Sequence, residues 1–271
     1  MRCGFAFVVL LSLFVVSCAR HQEAKPSGPG AFDAGFAMRT LFGNFDPVRK
    51  ISFYRVPTGA SQDPNFGDKD EIHAHLFFTQ EVTENGTRKV YVLTWAKPAG
   101  QPFDCRGCSP LISAAVFAAG EQSWTVESVG RAALTFGDFG KPPQAKLLEI
   151  GPEHHGFLLR VTSTQANTTT REALLVPWKG TVQEAFRTVV ADTNRGDCGG
   201  AYPCYGNERE LTFTPGTNSE YYDLMVTLSG TDMSPKPPFH LRKVSGAERL
   251  QFENGRYVPA ERGATITADN D

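Results

Sequence analysis

The side chains in this sequence whose types and spacing could do chemistry are cysteines, paired histidines and two acidic loops. Cys105-Arg106-Gly107-Cys108 has the C-x-x-C spacing shared by haem-attachment sites, zinc sites, redox pairs and tight disulfides, and Cys198 and Cys204 form a second close pair. A c-type haem needs His directly after the second cysteine, where Ser109 stands. A zinc ion held by all four thiols is disfavoured if the chain is exported to an oxidising space. A thioredoxin-like redox pair would sit at the start of a helix, and 109–119 could supply one, but the alternating strand and helix pattern of that fold is missing. Three disulfide pairings remain open. Two local bridges, Cys105 to Cys108 and Cys198 to Cys204, are favoured because Gly107 in one loop and Gly199, Gly200 and Pro203 in the other suit tight closure.

The acidic loops share the pattern D-x-N-x-G-D. Asp63, Asn65 and Asp68, with Asp70 close by, form the first copy, and Asp192, Asn194 and Asp197 form the second. Oxygen ligands at alternate positions with a glycine at the bend are what calcium takes, although neither loop has the Glu that closes an EF-hand. Calcium is the one ion these loops could take, and no cofactor is required by any motif. Asp, Asn and Gly also fill ordinary turns for local reasons. His73 and His75 share one face of a strand, and His154 and His155 are expected in a turn. Nothing in the sequence marks a third metal ligand beside either pair. No G-x-S-x-G elbow, phosphate-binding loop or H-E-x-x-H pair occurs, so the reading is of a protein that is not an enzyme.

The position of these residues relative to a membrane follows from the beginning of the sequence. Arg2 gives a positive start, and the apolar run 5–16 is too short to span a bilayer but suits a secretory leader. It ends in Val15-Val16-Ser17-Cys18, which resembles the bacterial lipobox, so residues 1–17 are expected to be removed and Cys18 to carry the lipid, palmitate included. Ala19, where inner-membrane lipoproteins usually carry Asp, favours the periplasmic face of the outer membrane. Losing residues 1–17 removes one of the 27 basic residues and none of the 29 acidic ones, moving the formal charge from −2 to about −3. Such a balance argues against a nucleic-acid partner, which would want a basic face.

The remainder reads as strands. Short runs rich in branched and aromatic residues occur at 73–78, 89–95, 123–129, 146–150, 157–162, 172–176, 208–214, 221–228 and 239–244. Asn85-Gly86 and Asn254-Gly255 are hairpin signals, because both residues tolerate the positive φ of a type I′ turn. An all-β fold is expected, a propeller-like or sandwich stack of short antiparallel strands, the propeller first, with helix confined to 34–45. The division expected is a leader at 1–17, a flexible tether at 18–35, one β-rich domain at 36–262 and a disordered tail at 263–271.

The stretch from Cys105 to Phe117, with 124–130, 137–143 and 151–157, resembles periplasmic lipoproteins of Xanthomonas-type bacteria. Some of these resemble immunity proteins, which protect a cell against injected peptidoglycan-cleaving toxins and are similar in shape to lysozyme inhibitors. The resemblance spans roughly 70–260. It implies a binding protein of the immunity or inhibitor type, anchored by lipid and meeting a peptidoglycan hydrolase. Inhibitors of that kind plug an enzyme cleft with Ser-Gly followed by Tyr; here Ser229-Gly230 is followed by Thr231 and Asp232, so no inhibitory residue carries over. Two other readings stand beside it: a structural or envelope-assembly lipoprotein, and a thiol-redox enzyme using the C-x-x-C pair.

Overall fold

A computed structural model describes residues 29–55, 66, 71–100, 102–164, 167–196, 198–199, 202–216, 220–260 and 267–268. Cys18, the leader, Asp63, Asn65, Asp68, Asp70 and Asp197 lie outside them. The helix expected at 34–45 is α1, Ala34–Phe42. Asp33 caps it, its carboxylate accepting from the N–H groups of Gly35 at 3.0 Å and Phe36 at 2.9 Å. It stops short of residue 45 because Gly43 turns left-handed at φ 80° and donates its N–H to Arg39 O. No helix among the described residues is long and apolar enough to cross a membrane.

The strands are β1 (Ser52–Arg55), β2 (Glu71–Glu84), β3 (Thr87–Pro98), β4 (Leu111–Ala119), β5 (Trp124–Thr135), β6 (Gln144–Gly151), β7 (His154–Thr164), β8 (Thr168–Trp178), β9 (Thr181–Thr193), β10 (Gly206–Thr214), β11 (Asp223–Met233), β12 (Leu241–Glu253), β13 (Arg256–Pro259) and β14 (Thr267–Ala268). The fold is all-β, as expected. Of the two stacks expected, separate propeller blades are not what forms: hydrogen bonding runs continuously from β1 to β13, with β6, β7 and β8 joined through β9. Many strands are long, with 14 residues in β2 and 13 in β9 and β12. The stretch 109–119 forms strand β4 from Leu111 onward and not a helix, because alternate residues face two different cores and only a period of two serves both.

Those cores define a layered sandwich. Val90, Val92, Leu111, Ala115 and Phe117 pack beneath α1 with Met38 and Leu41. The alternate residues Tyr91, Leu93, Ile112, Ala114 and Val116 face the other way, onto Phe157, Leu159, Ala173 and Leu175. The opposite face of β7 and β8, carrying Leu158, Leu174 and Val176, packs on Leu224, Val226, Leu250 and Tyr257. The sheet of β6 to β9 is thus enclosed between two others. This explains the unbroken apolar runs 157–159 and 173–176, since a strand covered on both faces has no solvent side to leave polar.

Strand β9 joins the layers. It pairs with β8 along its length, meets β5 in parallel at Val129 and Thr181, and hands over to β10 at Thr193 and Gly206. The β5 junction requires glycine at 130, where a Cβ would stand 2.1 Å from Val182 O. Residues expected to be tether already touch the body: Phe32 packs on Phe117 and Trp124, and Pro29 O accepts from Arg88 Nη1 at 3.3 Å. Within the tail expected to be disordered, Thr267–Ala268 pair with β12.

If the doubly covered sheet holds the fold together, Leu174→Ala should destabilise by about 3 kcal/mol, the range for a fully buried leucine. Urea unfolding should show a lower midpoint at unchanged slope, and a change under 1 kcal/mol would count against the layered core.

Candidate functional sites at the two ends of one strand

The loops following β9 and β11 leave the same end of their sheet, since Gly206 pairs with both Thr193 and Thr231, and Met233 pairs with Leu241. The first loop carries the disulfide Cys198–Cys204, with Cα atoms 5.0 Å apart. Asn194 spans it, its amide nitrogen donating to Pro203 O at 2.9 Å and its oxygen accepting from Tyr205 N at 2.7 Å. Asp192 accepts from Thr169 Oγ1 at 3.0 Å and Tyr205 Oη at 3.3 Å. Two of the expected calcium ligands therefore act in this structure as braces of the loop. Among the described residues no group of three or more His, Cys, Asp and Glu side chains is placed to hold a metal ion.

The second loop folds around Ser234, whose Oγ donates to Lys236 O and accepts from His240 N, while Ser234 N donates to His240 O at 2.9 Å. At the tip the Tyr202 and Phe239 rings lie 5.7 Å apart. They are 52% and 38% exposed, and neighbouring Leu241 is 45% exposed. Large side chains are exposed here on a frame that is closed covalently and by hydrogen bonds. Sequence reading missed them, because neither residue belongs to a motif; the cysteine pair around Tyr202 was the available signal.

The other end of β9 begins beside a polar cavity of about 190 Å³ where the turns after β2, β6 and β8 converge. Asn85 and Gly86 form the first turn at φ 48° and 74°, as Asn-Gly predicts, and Asn85 N donates to Glu153 Oε2 of the next at 2.7 Å. The Glu84 side chain is only 2% exposed. Tyr91 donates to its Oε1 at 2.6 Å, His155 Nδ1 lies 2.7 Å from the same oxygen, and Lys89 Nζ is 3.0 Å from Oε2. Lys89 also contacts Glu127 Oε1 at 2.7 Å. Burial pushes the Glu84 carboxyl upward, but hydrogen bonds from Tyr91, Lys89 and His155 outweigh it and hold the group below the usual carboxylate range. Burial, then the Glu84 contact, drive the Tyr91 phenol well above its ordinary value. The opposing effects on Lys89 are burial, which lowers it, and the Glu127 and Glu84 contacts, which prevail and raise it.

His154 and His155, expected in a turn, open β7 and point to different partners: His155 to Glu84, and His154 onto the Tyr221 ring at 4.6 Å. His73 and His75 do share a face of β2, but each packs on a ring, Phe53 and Trp95 respectively. Burial, followed by Lys97 and His73, lowers the His75 imidazole.

The C-x-x-C pair is bridged as favoured, Cys105 to Cys108. Its loop docks on the buried carboxylate of Asp138, which accepts from Gly107 N at 3.1 Å and from Ser163 Oγ. The chain continues into strand β4, so the helix start that would favour a reactive thiolate does not form. Ser229-Gly230 lies inside β11, and a Cβ on Gly230 would stand 2.3 Å from Gly206 O. That glycine serves close strand packing and not a protruding plug. Compared with protein-family models, with curated proteins and with solved structures, the chain matches none.

The pH dependence of folding should report Glu84. Its carboxyl lies lower in the folded state than in the unfolded one, so its contribution is present above the unfolded value near 4.5 and is lost as pH falls through the folded value. Glu84→Gln should destabilise at pH 7 by about 3 kcal/mol, having left Lys89 and His155 short of an ionised partner. Denaturant melts from pH 7 to pH 3 should show a shallower acid-side loss in the variant, and parallel curves would assign that loss elsewhere.

Proposed function

We propose that this chain is a lipid-anchored periplasmic binding protein of the immunity or inhibitor type, directed at a cell-wall hydrolase and engaging it through the Tyr202 and Phe239 tip. The observation that carries this reading is the exposed pair of aromatic rings, Tyr202 and Phe239, beside the Cys198–Cys204 bridge. Ordering a loop on association opposes binding, and the Cys198–Cys204 bridge and the Asn194 amide already tie described parts of this loop together. Aromatic anchors on such a frame are the side chains that dominate protein interfaces. The lipobox ending in Cys18 and the resemblance of roughly 70–260 to periplasmic lipoproteins, some of which resemble immunity proteins, support this compartment and this class of partner.

Geometry adds a second support. Pro29, the first described residue, lies against Arg88 at the beginning of β3, near the Glu84 end of the molecule. The aromatic tip follows the far end of β9, roughly 40 Å away for 13 extended residues. A chain tethered ahead of Pro29 would therefore present the tip away from the membrane, toward the wall space where a hydrolase works.

Tyr202→Ala and Phe239→Ala should each weaken capture of the hydrolase by about thirtyfold, the usual loss at an interface anchor, with unchanged thermal melting. Cells carrying either variant should lose protection against that enzyme. Full protection by both variants would reject the tip as the contact. Mass spectrometry finding Cys18 unacylated would remove the anchor.

A further inference from the structure

The cavity beside Glu84 plays no part in the aromatic tip. Its walls combine two kinds of surface. One is a group of rings: His154 lies 4.6 Å from Tyr221 on a nearly parallel plane and Trp178 stands edge-on to Tyr221, while Phe252, outside the lining, stacks on Tyr221 at 4.0 Å. His154 and Trp178 both line the cavity. The other surface is polar and fixed. Lys89 has three N–H donors and uses two directions on Glu84 and Glu127. Glu127, whose side chain is 38% exposed, has a second carboxylate oxygen beyond the one on Lys89. Because ionised Glu84 can only accept, the His155 Nδ1 facing it donates, which leaves Nε2 as the second polar atom of the ring.

These features select among ligand chemistries. The carboxylates of Glu84 and Glu127 are matched by the ammonium groups of Lys89 and of Lys179, which lies 5.1 Å over the Trp178 ring, so the lining offers no net charge to select a small ion of either sign. A bare metal ion would need a third ligating group, and none is grouped there among the described residues. A purely apolar molecule would strand Lys89 and Glu127. What fits is a molecule with carbon–hydrogen faces for the rings and hydroxyls that both donate and accept around its edge. At about 190 Å³ the space falls below the roughly 300 Å³ where drug-sized pockets begin, so it suits one ring and not a run of them.

We propose that this cavity is a saccharide site that takes a single pyranose ring of a glycan, the ring edge held by Glu127, Lys89 and His155 and one face resting against His154 and Trp178. Glu84 does not touch the sugar in this arrangement; it positions Lys89 and His155. The site lies at the opposite end of β9 from Tyr202, so it stands or falls separately from the hydrolase reading.

The test is titration of the purified full chain with the tetramers of N-acetylglucosamine and of glucose, read by tryptophan fluorescence and by saturation-transfer NMR. Saturable binding of either tetramer at millimolar concentrations or below is expected. Binding of both would assign recognition to the hydroxylated ring alone, and binding of the N-acetylated one alone would add the acetamido group to what is recognised. Glu127→Gln, at a partly exposed position whose amide oxygen can still accept from Lys89, should weaken binding by roughly tenfold through loss of a charge-assisted hydrogen bond while the chain stays folded. Lys89→Met should weaken it similarly, with a lower melting temperature because Glu84 loses a buried partner. Absence of saturable binding by both tetramers, or an affinity untouched by Glu127→Gln in a folded variant, would overturn the site.

Discussion

The sheet of β6 to β9 has no solvent face along its centre, and the rest of the molecule is arranged to keep it covered. Phe157, Leu159, Ala173 and Leu175 need one apolar partner layer, while Leu158, Leu174 and Val176 need another. Neither layer could be omitted without exposing a contiguous apolar patch. The outer strands meet this demand from both sides, and the layer of β2 to β5 buries its own remaining face beneath α1. Strand β9 makes the arrangement continuous: one end touches β5 and the other becomes the start of the third layer through β10.

Charged groups survive inside such a body only where every polar atom finds a partner. Glu84 and Asp138 are the instructive cases. Each is a carboxylate that ties together chain segments distant in sequence, Glu84 reaching His155 and Asp138 reaching Gly107 and Ser163. Both are held below the ordinary carboxylate range against the opposing effect of burial. Hydrogen bonding to the ionised form therefore wins at both sites, and removing any one donor leaves a charge that water cannot easily reach. The two ties differ in what they support. Asp138 fixes a disulfide loop to the body, whereas Glu84 orients side chains that line a cavity.

Local chemistry was readable in the sequence and long-range geometry was not. The Asn85-Gly86 and Asn254-Gly255 turns, the presence of α1 and the two cysteine bridges all depend on residues within a few positions of each other. Strands β4 and β9 escaped for a physical reason. Leu111 to Phe117 is apolar throughout because both faces are covered, which erases the alternation that marks a half-exposed strand. In β9 half-buried polar residues such as Gln183 and Glu184 interrupt the pattern. The Glu84 cluster was illegible because it exists only once β2, β3, β5 and β7 are in register. Asp192 and Asn194 stood out in the sequence as candidate calcium ligands, and the atoms they bind in this structure belong to Tyr205, Thr169 and Pro203.

The placement of the two candidate sites follows from the same layering. A strand that pairs with β8 along its whole length, bending only where the register passes over Ala185 and Val190, has its ends set apart by its extended length. Each end then collects the turns of whichever layers reach it: three hairpin turns around Glu84 at the beginning, and the two loops bearing Tyr202 and Phe239 at the finish. Because the intervening residues are locked in the ladder, a ligand at one end has no loose segment through which to alter the other. Two binding events on this scaffold would add as independent ones, and their joint strength would come from geometry: a body held at the Glu84 end to a fixed glycan or membrane keeps its aromatic tip at high local concentration beside whatever passes on the other side.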